Sequence, residues 1–206
     1  PVGTLMDPAY AAGLRATIHP AKATPSDLLS GAPTPLEDEE TTHFSIIDAD
    51  GNRAAVTQTV NLLFGSGLVP AGTGVLLNNE MDDFALKPGT PNAFGVMGYD
   101  ANAPEPGKRM LSSMTPTFLS NADKVAVIGT PGGSRIIGYV AKTLVAHLDW
   151  GMDIQQAIDL PNMLNRGSAY ELEENTPAAA KAGALERMGY PVQVRDLNSG
   201  VQGIVI

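Results

Sequence analysis

The chain has 206 residues, of which 43% are hydrophobic and 17% are charged, and this balance is typical of a globular protein rather than a disordered one. Lys and Arg number 13 against 22 Asp and Glu, so the formal net charge is -9. Because phosphate binding needs clustered positive charge, this composition argues against a nucleic-acid partner. With no cysteine, disulfides, thiolate metal sites and a cysteine nucleophile are all excluded.

No segment of the sequence approaches the 18 or so consecutive apolar residues that a membrane-spanning helix needs, so no span is predicted. The start, Pro1-Val2-Gly3, lacks the basic residues and the apolar stretch of a signal peptide. The chain begins without Met and stops at Ile206 within a predicted strand. We therefore expect it to be a piece of a longer protein.

The first 40 residues differ in character from the rest. Asp7 followed by Pro8 predicts a short helix with an Asp cap that continues to Arg15. Four prolines separated by Ser and Gly follow, and the segment ends with the acidic run Glu37-Asp38-Glu39-Glu40. This part predicts an exposed, irregular connector.

From Thr41 onward, short apolar runs alternate with turn residues. The pair Asp50-Gly51 between two β-branched runs indicates a hairpin. Apolar residues recur at four-residue spacing from Ile136 to Leu148, which is typical of an amphipathic helix. In chain order, the sequence predicts strands over 43–47, 53–60, 74–77 and 124–129, a surface loop over 85–110, helices over 135–150, 154–160 and 177–188, and closing strands over 192–194 and 201–206.

Without cysteine, a covalent mechanism would use Ser, Thr, Lys or a carboxylate as nucleophile, each with a base. No Gly-x-Ser-x-Gly turn accompanies the three histidines, so a Ser-His-Asp triad has no support. If the Glu40–Thr41 bond is cut, Thr41 gains a free α-amine that can act as the base for its own hydroxyl. Alternatively, Thr41 and Thr42 simply open a β-hairpin, where Thr is common.

Two acidic and two hydroxyl side chains could bind charged groups of a ligand. Glu80 and Asp83 place two carboxylates three residues apart, which suits an ammonium ion. A solvated acidic turn or a cation site with hard oxygen ligands are the alternatives. Adjacent Ser112 and Ser113 can donate to a carboxylate, or they can cap a helix or a turn.

The pair Gly132-Gly133 lies between a predicted strand and a predicted helix, where its N–H groups can point at a developing oxyanion. The same loop could hold a phosphate, but neither a Walker lysine nor a G-x-G-x-x-G spacing is present. The run 48–52 faintly resembles a calcium loop, yet no Glu stands at its twelfth position, which favours a hairpin turn.

Four segments of the sequence together resemble a known family. In order they are Thr41-Thr42-His43-Phe44-Ser45, Asn78-Asn79-Glu80-Met81-Asp82-Asp83-Phe84, Leu111-Ser112-Ser113-Met114-Thr115-Pro116 and Pro131-Gly132-Gly133-Ser134-Arg135. They resemble the small subunit of the γ-glutamyltransferases, also called glutathione hydrolases. The resemblance covers residues 41–206, while residues 1–40 are similar to the tail of the large subunit and its processing linker.

The resemblance implies an α+β fold, the four-layer αββα sandwich of the N-terminal-nucleophile hydrolases. It also implies self-cleavage between Glu40 and Thr41, followed by γ-glutamyl transfer from glutathione or a related amide to water or an amino acid. No metal or organic cofactor is implied. The expected partner is the large subunit of the same precursor, in a heterodimer that bacteria usually export to the periplasm or beyond.

Roles for individual residues follow from the same resemblance. Thr41 is similar to the nucleophile exposed by cleavage, and Thr59 to a second threonine whose hydroxyl supports it. The remaining matches are Asn61, Glu80 and Asp83 for the α-amino group of the donor, Ser112 and Ser113 for its α-carboxylate, and Gly132 and Gly133 for the oxyanion loop.

The chain also departs from the family. The large-subunit arginine that pairs with the α-carboxylate has no counterpart here, and the family's chain runs beyond Ile206, so we expect the chain to be incomplete as an enzyme. One alternative is an acylase for glutaryl side chains of cephalosporins, although such donors lack the α-amino group that Glu80 and Asp83 would neutralise. The others are an unprocessed, non-catalytic relative and a small-molecule binding protein without turnover.

Overall fold

The computed structural model describes residues 2–24, 41–92, 98–167, 169–197 and 199–206. Within these ranges the helices are α1 (Val2–Leu5), α2 (Pro8–Ala16), α3 (Ile136–Leu148), α4 (Ile154–Asp159) and α5 (Ala182–Arg187). The strands are β1 (Thr41–Ile47), β2 (Arg53–Thr59), β3 (Thr117–Ser120), β4 (Val125–Gly129), β5 (Met163–Asn165), β6 (Tyr170–Glu173), β7 (Val192–Arg195) and β8 (Gln202–Val205). The acidic end of the predicted connector, including Glu40, lies outside the described residues.

Strands β1 and β2 form the predicted antiparallel hairpin, which is confirmed. Its turn is closed by the carboxylate of Asp48, whose Oδ1 accepts hydrogen bonds from the N–H groups of Asp50 at 3.0 Å and Asn52 at 2.8 Å. Gly51 adopts a φ of 83°, a conformation that glycine reaches without steric cost. The Asp48 carboxylate thus serves the hairpin turn.

A second sheet, in the order β3-β4-β8, packs against the hairpin. Successive residues of a strand point to opposite faces, and the two faces of β4 have different neighbours. Gly129 lies against the imidazole of His43 from β1, whereas Ile128 joins a core cluster with Ile136 and Tyr139 of α3. The hairpin therefore covers one face of this sheet, and α3 with α4 covers the other.

The helical layer is fixed by caps and apolar contacts. Helix α4 begins with a capping box, in which the Asp153 carboxylate accepts from the Gln156 N–H at 2.9 Å and the Gln156 side chain accepts from the Asp153 N–H at 3.2 Å. Ile154 at its start contacts Gly203 of β8. No helix among the described residues is long and apolar enough to cross a membrane.

A third sheet, β5-β6-β7, contacts the α3 side of the core through Leu164 of β5, and this sheet was not fully predicted. Strands β5 and β6 are antiparallel, and β6 and β7 are parallel with α5 in the connection. The sequence missed β3, β5 and β6, which are short and carry polar or charged residues. It also predicted one helix over 177–188, where the chain forms a 3₁₀ turn at Ala179–Lys181 and then α5.

The predicted strand over 74–77 is wrong. Gly74 has a φ of 67°, outside the extended region, and the Leu77 backbone closes a local loop instead. The Leu77 N–H donates to Leu68 O at 2.9 Å, while Leu77 O accepts from the Ser66 N–H at 2.9 Å. These backbone groups are therefore used within the loop rather than in a sheet.

Candidate active site

Thr41 and Thr59 are neighbours across the hairpin. Thr41 is the first residue of β1, and it pairs in register with Thr59, the last residue of β2. Directly paired residues of antiparallel strands point to the same face, and this face also carries the buried His43. Thr59 Oγ1 accepts a hydrogen bond from the Asn61 N–H at 2.8 Å. The structure thus places the two threonines side by side at the open end of the hairpin.

Asn61 links the end of β2 to the next site segment. It has a φ of 75°, which Asn tolerates better than most residues, and its side chain is buried. Its Nδ2 donates to Asn79 O at 3.3 Å, and Asn79 in return accepts from the Leu62 N–H through Oδ1 at 3.0 Å. Glu80 follows directly, so this contact fixes the acidic segment relative to the hairpin.

Glu80 and Asp83 lie at the two ends of the 3₁₀ helix Glu80–Asp83. Burial, together with the nearby charge of Asp82, raises the pKa of Asp83 to about 6. Burial and the charge of Asp83 also raise the pKa of Glu80. Both shifts mean that ionising these carboxyl groups costs free energy. A cation bound between them would offset this cost, so the cation and the carboxylates would stabilise each other.

The Ser112-Ser113 segment is tied to Asp83 through Asn102, a residue that sequence analysis did not single out. Asn102 Nδ2 donates to Asp83 O at 2.7 Å, and its Oδ1 accepts from the Leu111 N–H at 3.0 Å. One side chain therefore joins the acidic segment to the residue before Ser112. No local signal marks Asn102, because its partners lie 19 and 9 residues away in the sequence.

The glycine pair forms the turn between β4 and α3. Gly132 and Gly133 have φ values of 133° and 53°, so both need the conformational freedom of glycine. A Cβ on Gly132 would also lie 3.0 Å from the ring of Tyr139. The turn is closed by the Arg135 N–H, which donates to Gly132 O at 3.0 Å.

These segments meet in one open pocket. It contains all of the predicted site residues in the described part of the chain except Gly132, which lies next to the lining residue Gly133. The lining residues are Thr41, Thr59, Asn61, Glu80, Asp83, Asn92, Leu111, Ser112, Ser113, Met114, Gly133, Ser134 and Ile136. The pocket therefore offers hydroxyl groups, two carboxylates and a glycine turn around a common space.

No group of three or more acidic, His or Cys side chains in the described ranges is arranged to hold a metal ion.

Asn92 lines the pocket next to Asp83, since its Nδ2 lies 3.4 Å from Asp83 Oδ1. Neither Asn92 nor Ser134 was assigned a role from the sequence. Asn92 lies in the predicted surface loop over 85–110, and Ser134 lies in the segment 131–135, of which only Gly132 and Gly133 were given a role.

Comparison with known proteins decides the family. The sequence matches the family model for gamma-glutamyltranspeptidase over residues 1–206. The chain belongs to the gamma-glutamyltranspeptidase family. The resemblance inferred from the four segments is therefore confirmed.

Individual curated relatives have also been found. The glutathione hydrolase proenzyme of Pseudomonas aeruginosa is 44% identical over 206 residues, covering 97% of this chain and 36% of its own. The acylase ACY 1 proenzyme of a Pseudomonas species is 36% identical over 195 residues, covering 93% of this chain and 32% of its own. The chain thus spans about a third of the length of these curated relatives.

The fold agrees as well. The gamma-glutamyltranspeptidase of Pseudomonas nitroreducens, solved in complex with L-DON, superimposes with a TM-score of 0.74 at 43% identity. The match covers 80% of this chain and 89% of that one. The predicted α+β, αββα-sandwich class is confirmed, and within this chain the hairpin packs on the second sheet, which α3 and α4 cover on its other face.

Proposed function

We propose that the complete protein is a γ-glutamyltransferase and glutathione hydrolase, with Thr41 as its nucleophile. The observation that carries the proposal is the pocket in which the Thr41–Thr59 pair faces two carboxylates and two serine hydroxyls. A γ-glutamyl donor carries an ammonium and a carboxylate at one end and a reactive carbonyl at the other. The charges and hydroxyl groups of the pocket match those three groups.

The proposed reaction begins with cleavage of the Glu40–Thr41 bond. The freed α-amine of Thr41 takes the proton of the hydroxyl as Oγ1 attacks the γ-carbonyl carbon of the donor. The resulting oxyanion is stabilised by N–H groups of the Gly132-Gly133 turn; the amide C–N bond then breaks, and the leaving amine departs with the proton that the Thr41 α-ammonium returns. This leaves a γ-glutamyl ester on Thr41, which water or the amine of an amino acid then cleaves.

Binding of the donor's α-amino and α-carboxylate groups positions its γ-carbonyl. Asn61, Glu80 and Asp83 hold the α-amino group, and the raised pKa values of the two carboxyl groups mean that an ammonium ion relieves an electrostatic cost there. Ser112 and Ser113 donate to the α-carboxylate. Fixing both groups converts the attack on the γ-carbonyl into an effectively intramolecular step. Thr59 supports the Thr41 hydroxyl from the adjacent strand.

We further propose that residues 1–40 are the tail and processing linker of a large subunit, and that residues 41–206 belong to the small subunit. The two subunits form a heterodimer from one precursor. The proenzyme names of the relatives support this division, as does the solved Pseudomonas nitroreducens chain, of which 89% is matched by 80% of this chain. We expect the protein to be exported to the periplasm or beyond, as family resemblance implies.

The second candidate is an acylase, which the 36% identity to the acylase ACY 1 proenzyme supports, and we propose glutaryl side chains as its substrate. A glutaryl donor lacks the α-amino group, so it would leave Glu80 and Asp83 without a cation to bind. Comparing γ-glutamyl and glutaryl amides of one leaving group separates the two functions. We expect the γ-glutamyl amide to be cleaved with the higher kcat/KM.

The test uses the full-length precursor, as wild type, Thr41→Ala and Thr41→Ser. Intact mass and N-terminal sequencing should find a new chain that begins Thr41-Thr42-His43 in the wild type and none in Thr41→Ala. Thr41→Ser keeps a hydroxyl at the same position, so it should still be cut and retain some γ-glutamyl transfer. A single uncut chain in all three proteins, or full turnover in Thr41→Ala, would refute the proposal.

A further inference from the structure

A buried carboxylate beside the pocket accepts hydrogen bonds from three guanidinium groups. Glu171 of β6 has a side chain that is only 4% exposed. Its Oε2 accepts from Arg135 Nε at 2.9 Å, and its Oε1 accepts from Arg166 at 2.9 Å and Arg195 at 3.2 Å. Burial alone would raise the pKa of Glu171, but the bonds from Arg135 and Arg166 outweigh burial and lower that pKa. We call these four residues the Glu171 cluster.

The Glu171 cluster reaches the glycine turn by two routes. Arg135 is part of the turn itself, since its N–H closes the turn on Gly132 O. Arg166 uses its second terminal nitrogen to donate to Ser134 Oγ at 2.6 Å. Ser134 lines the pocket directly after Gly133. Residues 134 and 135 are therefore both held by side-chain bonds that lead to the same carboxylate.

The planar fork of Arg166 is suited to this link. A guanidinium donates in two fixed directions at once, whereas a lysine amine has no rigid fork and a neutral amide carries no charge. Arg166 spans Ser134 and Glu171, and its side chain is 16% exposed, so little solvent competes for these bonds. Arg195 binds the same carboxylate but is 35% exposed, and no bond joins it to Ser134 in the described contacts.

We propose that Arg166 is a positioning residue, which acts through Ser134 to hold the Gly132-Gly133 turn in the geometry that receives the oxyanion. This rests on the proposed function, in which that turn stabilises the tetrahedral intermediate. The donor's α-amino and α-carboxylate groups are held by other segments. Loss of Arg166 therefore changes the transition state more than the ground state, and its effect falls on kcat rather than on KM.

The test compares Arg166→Gln with Arg195→Gln in the processed full-length enzyme, both alone and in the Ser134→Ala background. Each substitution of arginine removes one guanidinium from Glu171, but only Arg166→Gln breaks the bond to Ser134. Steady-state kcat and KM are measured with a γ-glutamyl p-nitroanilide, and thermal midpoints are recorded for all variants. N-terminal sequencing gives the processed fraction, by which kcat is normalised.

Removing a direct oxyanion donor costs about 10² to 10³ in kcat, and a loss transmitted through one hydroxyl should be smaller, so we expect about tenfold for Arg166→Gln. KM should stay within about twofold, as should kcat for Arg195→Gln. In the Ser134→Ala background, Arg166→Gln should have no further effect on kcat, because the link is already cut.

Three results would overturn the proposal: an unchanged kcat for Arg166→Gln, an equal loss for Arg195→Gln, or an undiminished effect of Arg166→Gln beside Ser134→Ala. If Arg166→Gln yields no processed enzyme, Ser134→Ala alone decides, since it should lower kcat and leave the thermal midpoint near that of the wild type. A wild type without γ-glutamyl transfer would instead refute the proposed function. The two failures are therefore distinguishable.

Discussion

The pKa of Asp83 provides a direct test of substrate recognition. Burial and the charge of Asp82 raise this pKa to about 6, so the carboxylate fraction in the free enzyme falls from about nine-tenths at pH 7 to about one-tenth at pH 5. If the carboxylate binds the α-ammonium of the donor, its loss weakens γ-glutamyl donors and leaves glutaryl donors unaffected. The ratio of their kcat/KM values should therefore fall about tenfold between pH 7 and pH 5.

Using a ratio cancels the titrations that affect both donors equally, whereas protonation of Glu80, which is proposed to bind the same ammonium group, adds to the fall in the ratio. Under the proposed mechanism, the α-amine of Thr41 must be neutral to act as a base, and its protonation lowers kcat/KM for both donors by the same factor. The assay follows p-nitroaniline release from the γ-glutamyl and glutaryl p-nitroanilides between pH 5 and pH 8. Asp83→Asn should lower the ratio at pH 7 and flatten its pH dependence. A flat ratio in the wild type, or the same slope in Asp83→Asn, would refute the assignment.

The sign of the linked stability effect follows from the same shift. The folded-state pKa of Asp83 lies above its unfolded value, so ionisation of this carboxyl destabilises the fold as the pH rises through about 6. A bound ammonium group offsets that cost. Free glutamate should therefore raise the thermal midpoint of the full-length enzyme more than glutarate does at pH 7, and this difference should shrink at pH 5.

Three further predictions concern stability, each measured by denaturant unfolding of the full-length protein. Glu171→Gln leaves three guanidinium groups without their shared carboxylate and should cost about 3–5 kcal/mol; a loss below about 1 kcal/mol would contradict a buried ion cluster. Gly129→Ala would overlap the imidazole of His43 and should cost about 1–3 kcal/mol, whereas Gly203→Ala on the paired strand meets its nearest atom at 3.4 Å and should be nearly neutral. Asp153→Ala removes the cap of α4 and should cost about 1 kcal/mol, and no change would show that the capping box contributes nothing.

The sequence predicted the elements whose signal is local. The hairpin follows from Asp50-Gly51 between β-branched runs, and α3 follows from its four-residue apolar spacing. The site residues came from short segments that resemble a family. Their meeting in one pocket depends on contacts such as the Thr41–Thr59 pair, which register alone fixes.

The parts that the sequence missed depend on distant partners. Strand β6 has the sequence Tyr-Glu-Leu-Glu, whose two glutamates indicate an exposed segment. Glu171 is nevertheless buried, because it pairs with Arg135, 36 residues away in the sequence. Asn102 lies in a run predicted to be surface loop, yet its amide joins two site segments. Neither bond leaves a periodic or compositional trace, because each is made by single side chains across the fold.

The register of β1 has a consequence for which precursor molecules can cleave themselves. Thr41, His43 and Ser45 share the face that meets the second sheet, whereas Phe44 and Ile46 are exposed on the other. A slip of one residue would exchange these two sets and turn Thr41 away from Thr59. Under the proposed mechanism, a precursor folded in the wrong register could not cut itself. The fraction of cut chains, measured by mass spectrometry, would then report the fraction of molecules in which β1 has the correct register.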